Sequence, residues 1–166
     1  MTRAARERRR DETEPDVSAE LSASIDINAP AEQVFSVIAD LKAMGKRSPQ
    51  CKLMKVFGPV QEGTRSININ RKGLLVWPTT AKVVRFEPGK ALAFRINENR
   101  TVWTYELAES GGVTTVTETR RAPDGTSKVS SFLVDKFMGG TDDFDREMVE
   151  GMNQTLREIK AEVERG

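Results

Sequence analysis

A chain of 166 residues, 37% hydrophobic and 31% charged, is long enough to bury a core and reads as one soluble domain. Its formal net charge of +1 gives no electrostatic reason for a nucleic-acid partner. With one cysteine and no histidine it can build no internal disulfide, no Ser-His-Asp triad and no imidazole zinc site, so neither a metal nor a cofactor is expected. Any acid–base chemistry falls to Asp, Glu, Lys, Tyr or bound water, and Cys51 reads as a small packing residue. No apolar run approaches the roughly eighteen residues of a membrane span. No apolar h-region opens the chain, which makes the cytoplasm the default location.

Residues 1 to 16 alternate arginines (Arg3, Arg6, Arg8, Arg9, Arg10) with acids (Glu7, Asp11, Glu12, Glu14, Asp16) and hold almost nothing apolar, so they read as a disordered charged tail preceding a domain over 17–166. From Val17 to Ile27 apolar and polar residues alternate, which predicts a half-buried strand. Asn28-Ala29-Pro30 breaks it, and Pro30 suits the first turn of a helix because its missing N–H needs no partner there. Val34, Phe35, Val37, Ile38 and Leu41 extend that helix to about Ala39, with a second short helix possible through Met44 before Ser48-Pro49.

The middle of the chain is a run of short strands, at about 51–57, 64–70, 74–86, 91–96, 101–109 and 113–121. They are separated by Gly58-Pro59, Arg71-Lys72-Gly73, Glu87-Pro88-Gly89, Asn97 to Arg100 and Ser110-Gly111-Gly112. That succession favours an antiparallel meander over βαβ units. After Pro123-Asp124-Gly125, the residues Val129, Phe132, Leu133, Lys136 and Phe137 suggest a short amphipathic helix. The last stretch, Thr141 to Glu164, is the longest element. Phe144, Met148, Val149, Met152, Leu156, Ile159 and Val163 share an arc of roughly 140°, Thr141 is placed to cap it, and Asp142, Asp143 and Asp145 oppose the positive end of the helix dipole. A rod about 35 Å long cannot bury such a stripe alone, so the strands must supply the other wall.

Particular residues sharpen this outline. Asp26-x-x-Ala29-Pro30-x-x-x-Val34-Phe35, Ser48-Pro49, Gly63 and Asn70, Trp77-x-Thr79 with Val83, Glu87-Pro88-Gly89 with Phe94, Trp103-x-Tyr105-x-Leu107, Gly112 to Glu118, and Gly151-Met152-x-x-Thr155-Leu156 follow one another in order. Together they resemble the polyketide cyclase/dehydrase and lipid-transport branch of the START-like helix-grip superfamily (SRPBCC), over about residues 18 to 164. The resemblance implies an α+β helix-grip fold: a curved antiparallel seven-stranded sheet around the long C-terminal helix, one or two short helices after strand 1, and a mostly apolar cavity between sheet and helix. It also implies a small hydrophobic or amphipathic partner, lipid or polyketide-like. It does not fix one activity, because the fold hosts carriers, cyclases and simple binders. Where the family often has an aromatic and then a glycine on the third strand, this chain has Ser66 and Asn68.

Alternation then selects the lining of that cavity. Trp77, Thr79, Ala81, Val83 and Arg85 share one face, as do Leu92, Phe94 and Ile96, and Trp103, Tyr105 and Leu107. On the next strand either Thr115, Thr117 and Thr119 or Thr114, Val116, Glu118 and Arg120 could turn inward, and the resemblance favours the second set. On the third strand hydrophobicity alone would turn Ile67 and Ile69 inward, whereas the resemblance turns Ser66, Asn68 and Asn70. The candidate ligand-binding set is therefore Asn70, Trp77, Thr79, Arg85, Phe94, Trp103, Tyr105, Glu118, Arg120, Met148 and Met152. Ordinary core packing is the competing account of the aromatics, and a solvent-facing strand edge that of Glu118 and Arg120. Binding or carriage is the leading function. A cyclase or dehydratase using Glu118 or Tyr105 for proton transfer, and an interaction module with a filled cavity, are the alternatives.

Overall fold

The computed structural model describes residues 20–122 and 141–166. The charged tail over 1–16, residues 17–19 of the first strand, the short helix read over 129–137 and the capping side chain of Thr141 lie outside the described residues. Within them the order is β1 (Glu20–Ile27), α1 (Ala31–Ala39), a 3₁₀ turn (Leu41–Ala43), α2 (Met44–Arg47) and β2 (Cys51–Phe57). Then come β3 (Arg65–Lys72), β4 (Leu75–Glu87), β5 (Ala91–Ile96), β6 (Val102–Ser110), β7 (Val113–Arg121) and α3 (Thr141–Arg165). The seven strands form one antiparallel sheet in the order β1-β7-β6-β5-β4-β3-β2, so the meander β2 to β7 is closed by β1 returning beside β7. No helix among the described residues is long and apolar enough to cross a membrane.

The strand pattern is local chemistry: alternation along β1 buries Leu21 and Ile27, and turn residues with positive φ such as Gly58, Gly89 and Gly111 reverse the chain between strands. At α1, Pro30 stands at the N-cap, and Glu109 from the end of β6 accepts a hydrogen bond from the Ala31 N–H at 3.0 Å, supplying the partner that a proline cap cannot.

Along α3 the apolar stripe is buried unevenly. Met152, Leu156, Ile159 and Val163 are fully buried, whereas Phe144, Met148 and Val149 in the first two turns are half-exposed. At about 2 kcal/mol for each buried side chain, the four residues of the C-terminal half contribute roughly 8 kcal/mol, the size of a domain's whole net stability. Polar contacts fix the same end. Lys160 Nζ donates to the Asp26 carbonyl at 2.6 Å, and Glu164 accepts from the Asn28 N–H at 3.0 Å. The guanidinium of Arg47 in α2, 2% exposed, donates through Nε to Glu162 at 2.9 Å and through Nη1 to the Asp40 carbonyl at 3.1 Å. Its Nη2 lies 2.8 Å from the same Glu162 oxygen without the alignment of a hydrogen bond.

Candidate functional site

The inward face of the sheet is assembled in cross-strand rows. Strand register aligns Val83, Phe94, Trp103, Arg120 and Leu21 in one row, and Phe86, Leu92, Tyr105, Glu118 and Ala23 in the next. Thr114, Val116, Glu118 and Arg120 of β7 are all buried, whereas of the other set Thr115 is exposed, Thr117 half-buried and Thr119 buried. Tyr105 and Glu118 are 1% and 2% exposed, and the Tyr105 hydroxyl donates to Glu118 Oε1 at 3.0 Å.

Burial pushes the Glu118 carboxyl up to about 8 against the opposing pull of the Tyr105 hydrogen bond. At neutral pH it is a carboxylic acid. Because Oε1 accepts from Tyr105, the acid's proton belongs on Oε2, and that atom is buried without a partner among the described residues. Burial, followed by the Glu118 charge and hydrogen bond, also holds the Tyr105 phenol well above its ordinary value. The pair is thus a neutral hydrogen-bonded dyad with one donor left over. An orphaned donor at such depth has a desolvation cost of about 1–3 kcal/mol, which a functional ligand would recover.

On β3 the polar side chains Ser66 and Asn68 turn inward and the aliphatic Ile67 outward, while β4 adds Thr79 to the inward side beside Ala81 and Val83. Ser66 donates to Asn68 Oδ1 at 2.9 Å, while Asn68 and Asn70 both donate to the Thr79 hydroxyl, at 3.3 and 3.0 Å. Asn70 also reaches the Trp77 carbonyl at 3.4 Å. Ile67, on the opposite face, is exposed. The hydroxyl and amide groups satisfy one another, so this wall tolerates burial where an isolated asparagine would not.

Arg85 is a correction. A β-bulge between Val83 and Arg85 adds a residue against β5, so the alternation slips, Phe86 takes the inward place and Arg85 turns to solvent, paired with Glu87 at 3.0 Å. Phe94 is inward, in the core cluster with Leu92 and Ile96, and the void beside it, bounded by Leu41, Met54, Val56 and Val83, is only about 10 Å³. That volume is at the threshold for a single water, so this end of the interior is filled. Arg120 lies with its guanidinium 5.5 Å from the Phe144 ring centroid, its pKa lowered by burial and partly restored by Asp145. Trp77 and Trp103 are half-buried, Met152 is buried, and Met148 is half-exposed one turn beyond Phe144.

The large opening lies at this looser end of α3. A cleft of about 790 Å³ is lined by Phe144, Met148 and Gly151 of the helix, by Pro49 before β2, which packs close to Gly151, and by Arg71, Lys72 and Gly73 of the β3–β4 hairpin. Of the expected site residues, Met148 lines it. Its rim is polar, and Lys72 pairs with Glu147 from hairpin to helix. The sequence therefore placed the dyad and the amide wall inside, but missed the charged rim and Arg47. Arg71-Lys72-Gly73 read only as a turn, and nothing in the spacing of Arg47 marks it as buried. The Cys51 thiol is pushed up to about 11 by burial, which keeps it protonated near neutral pH.

A curved antiparallel seven-stranded sheet with a long C-terminal helix against its concave face and short helices after β1 defines a helix-grip protein. The chain belongs to the polyketide cyclase / dehydrase and lipid transport family, whose model matches residues 18–164. No match appears among curated protein sequences. Its fold is shared with the Polyketide_cyc-like protein Cgl2372 of Corynebacterium glutamicum, at 23% identity over 88% of this chain and 91% of that one, with a TM-score of 0.60. It is shared also with the Zhui aromatase/cyclase of Streptomyces sp. R1128, at 16% identity over 88% and 93% with a TM-score of 0.68. The di-domain ARO/CYC StfQ of the steffimycin biosynthetic pathway aligns at 11% identity over 89% of this chain and 51% of its own, with a TM-score of 0.70.

Proposed function

We propose that this protein binds a small, largely apolar molecule carrying a carbonyl or hydroxyl oxygen, held between the sheet and α3. The observation that supports this most is the Glu118 carboxyl: neutral near pH 7, oriented by Tyr105, and with Oε2 lacking a partner among the described residues. A ligand oxygen accepting from Oε2 satisfies the last open valence of the dyad, while Trp103, Phe94 and Met152 offer apolar contact around it. Since Oε2 has no contact with solvent, binding is coupled to an opening, and the half-exposed first turns of α3 are the end that yields. Family membership agrees with a small hydrophobic ligand.

The same neutral acid supports a second reading, a cyclase or dehydratase in which Glu118 transfers a proton to a substrate oxygen inside a dry site. One pair of substitutions separates the two. Glu118→Gln keeps a donor at the orphaned position but removes the ionisable group, whereas Glu118→Leu removes the donor. Native mass spectrometry of the protein purified from its own host is expected to show a co-purifying ligand. Glu118→Gln is expected to retain it and Glu118→Leu to lose affinity about tenfold or more. If Glu118→Gln instead lowers turnover of a candidate polyketide by roughly 10²- to 10⁴-fold with binding kept, the enzyme reading replaces the carrier. Affinity unchanged in Glu118→Leu would remove the dyad from the site.

A further inference from the structure

All six large hydrophobic side chains that are exposed among the described residues fall between positions 53 and 84. They are Leu53, Phe57, Ile67, Leu74, Val76 and Val84, with Leu74 at the β3–β4 turn 97% exposed. The strand pattern puts them on one surface. Met54 and Val56 of β2, and Ser66 and Asn68 of β3, turn inward, which leaves Leu53, Phe57 and Ile67 on the convex side of the sheet. Register sets Leu53 beside Ile69, Ile69 beside Pro78, and Arg71 beside Val76, so the apolar groups are contiguous across three strands and run out to the hairpin tip. The face measures about 20 Å by 10 Å from strand rise and spacing, beyond the scattered single exposures that need no explanation.

Its charge is equally one-sided. From 51 to 84 the chain holds six basic residues and one acid, Glu62, although the whole chain is only +1. Lys55, Arg65 and Lys82 stand among the apolar residues, Lys55 lying 5.7 Å from the Phe57 ring centroid and Arg65 directly opposite Lys82. The acids at its border are Glu62 in the β2–β3 turn and Glu98, which accepts from the Thr80 N–H and hydroxyl at 2.8 and 2.7 Å. Lys72 is not counted on this face, being paired with Glu147.

We infer that the convex face of β2, β3 and β4, with the Leu74 hairpin at its end, docks on the surface of a bilayer containing anionic lipid. Charge decides against a second copy of this chain: a two-fold contact through this face sets lysines and arginines against their own likes, and Lys52 and Lys55 on the edge strand β2 oppose strand addition. Nucleic acid would meet the cations but offers no place for Leu53, Leu74 and Val76. A bilayer interface meets both, with phosphates for the cations and acyl chains for the aliphatic side chains. The same hairpin borders the 790 Å³ cleft on its helix side. The inference stands apart from the reading of the Glu118 site, since a chain that carried no ligand could still dock.

The test is co-sedimentation of the full chain with phosphatidylcholine vesicles, with and without phosphatidylserine, at low and high salt. Binding to the anionic vesicles that weakens with salt is expected, with little to phosphatidylcholine alone. Leu53→Ser combined with Leu74→Ser should lower the partition coefficient roughly tenfold to hundredfold. Lys55→Glu with Lys82→Glu should lower it about tenfold or more. Thermal unfolding checks that the variants fold, and Leu74→Ser alone, at a side chain almost fully in solvent, carries the test if the double variant does not. Absence of binding to anionic vesicles at low salt would overturn the inference, as would binding indifferent to both leucines. A concentration-dependent dimer lost in the leucine variants would give the face to a second copy and overturn it equally.

Discussion

Glu118→Gln has a consequence for stability that can be worked from the carboxyl's position. In the unfolded chain this group titrates near 4.5, and in the folded protein burial raises it to about 8. Below pH 4.5 both states are protonated and the buried acid is tolerated. Between 4.5 and 8 the unfolded state releases its proton while the folded state keeps it, so rising pH favours unfolding, and the contribution is gone once pH passes the folded value. The full span corresponds to about 5 kcal/mol, of which roughly 2–3 kcal/mol falls between pH 6 and pH 9. Glutamine cannot ionise. Its oxygen still accepts from Tyr105, and its amide leaves a donor unpaired at the place of Oε2, so at pH 6 the variant should lie within about 1 kcal/mol of the parent. At pH 9 it should be the more stable of the two. Urea unfolding of both proteins at the two pH values isolates the effect, because every other titrating group cancels in the difference. Parallel pH profiles would refute the assignment of a raised, uncompensated carboxyl at Glu118.

Three further substitutions test how the short helices lock the scaffold. Gly45→Ala would place a Cβ 2.5 Å from the Lys52 carbonyl oxygen, a backbone atom that can move only with β2. The expected loss of about 2 kcal/mol or more in chemical denaturation outweighs the roughly 1 kcal/mol that alanine contributes to helix propensity. An unchanged midpoint would show that α2 does not press on the start of β2. For the pair between α2 and α3, Glu162→Ala strands a buried guanidinium and should cost about 3 kcal/mol. Arg47→Met keeps the apolar stem, leaves only a half-exposed carboxylate and should cost about 1 kcal/mol. Denaturation curves giving the reverse order would contradict the burial assigned to Arg47.

What was legible in the sequence was whatever repeats with a fixed period. The strands at 51–57, 91–96 and 113–121 and the helix starting at 141 appear at the expected positions, because alternation and the 3.6-residue stripe depend only on which side is buried. Asn70 was legible through resemblance alone. Hydrophobicity pointed to Ile67 and Ile69, and the structure exposes Ile67 because Ser66, Asn68, Asn70 and Thr79 satisfy one another inside. Arg85 was lost to a single inserted residue: period-two counting is valid only until the first bulge, and no turn residue marks the one after Val83. Arg47 was invisible for a different reason. A lone arginine in a four-residue helix has no period, and its burial is decided by Glu162, 115 residues later.

The two ends of α3 are held by contacts of different strength. Toward the C-terminus, Ile159 and Val163 are packed and Arg47 of α2 together with Asp26 and Asn28 at the end of β1 hold the helix by hydrogen bonds, so motion there costs buried area and charged contacts together. Toward the N-terminus, Phe144 and Met148 are only half-covered, and the contacts across to the sheet and its hairpin include, among the described residues, Arg120 over a ring with the Asp145 charge nearby and the exposed pair Lys72–Glu147. An exposed ion pair contributes about 0–1 kcal/mol and a cation over a ring about 1–2 kcal/mol. The described contacts of the first turns are thus weaker than those of the last three, and it is along the weaker end, from Phe144 to Arg157, that the cleft lies.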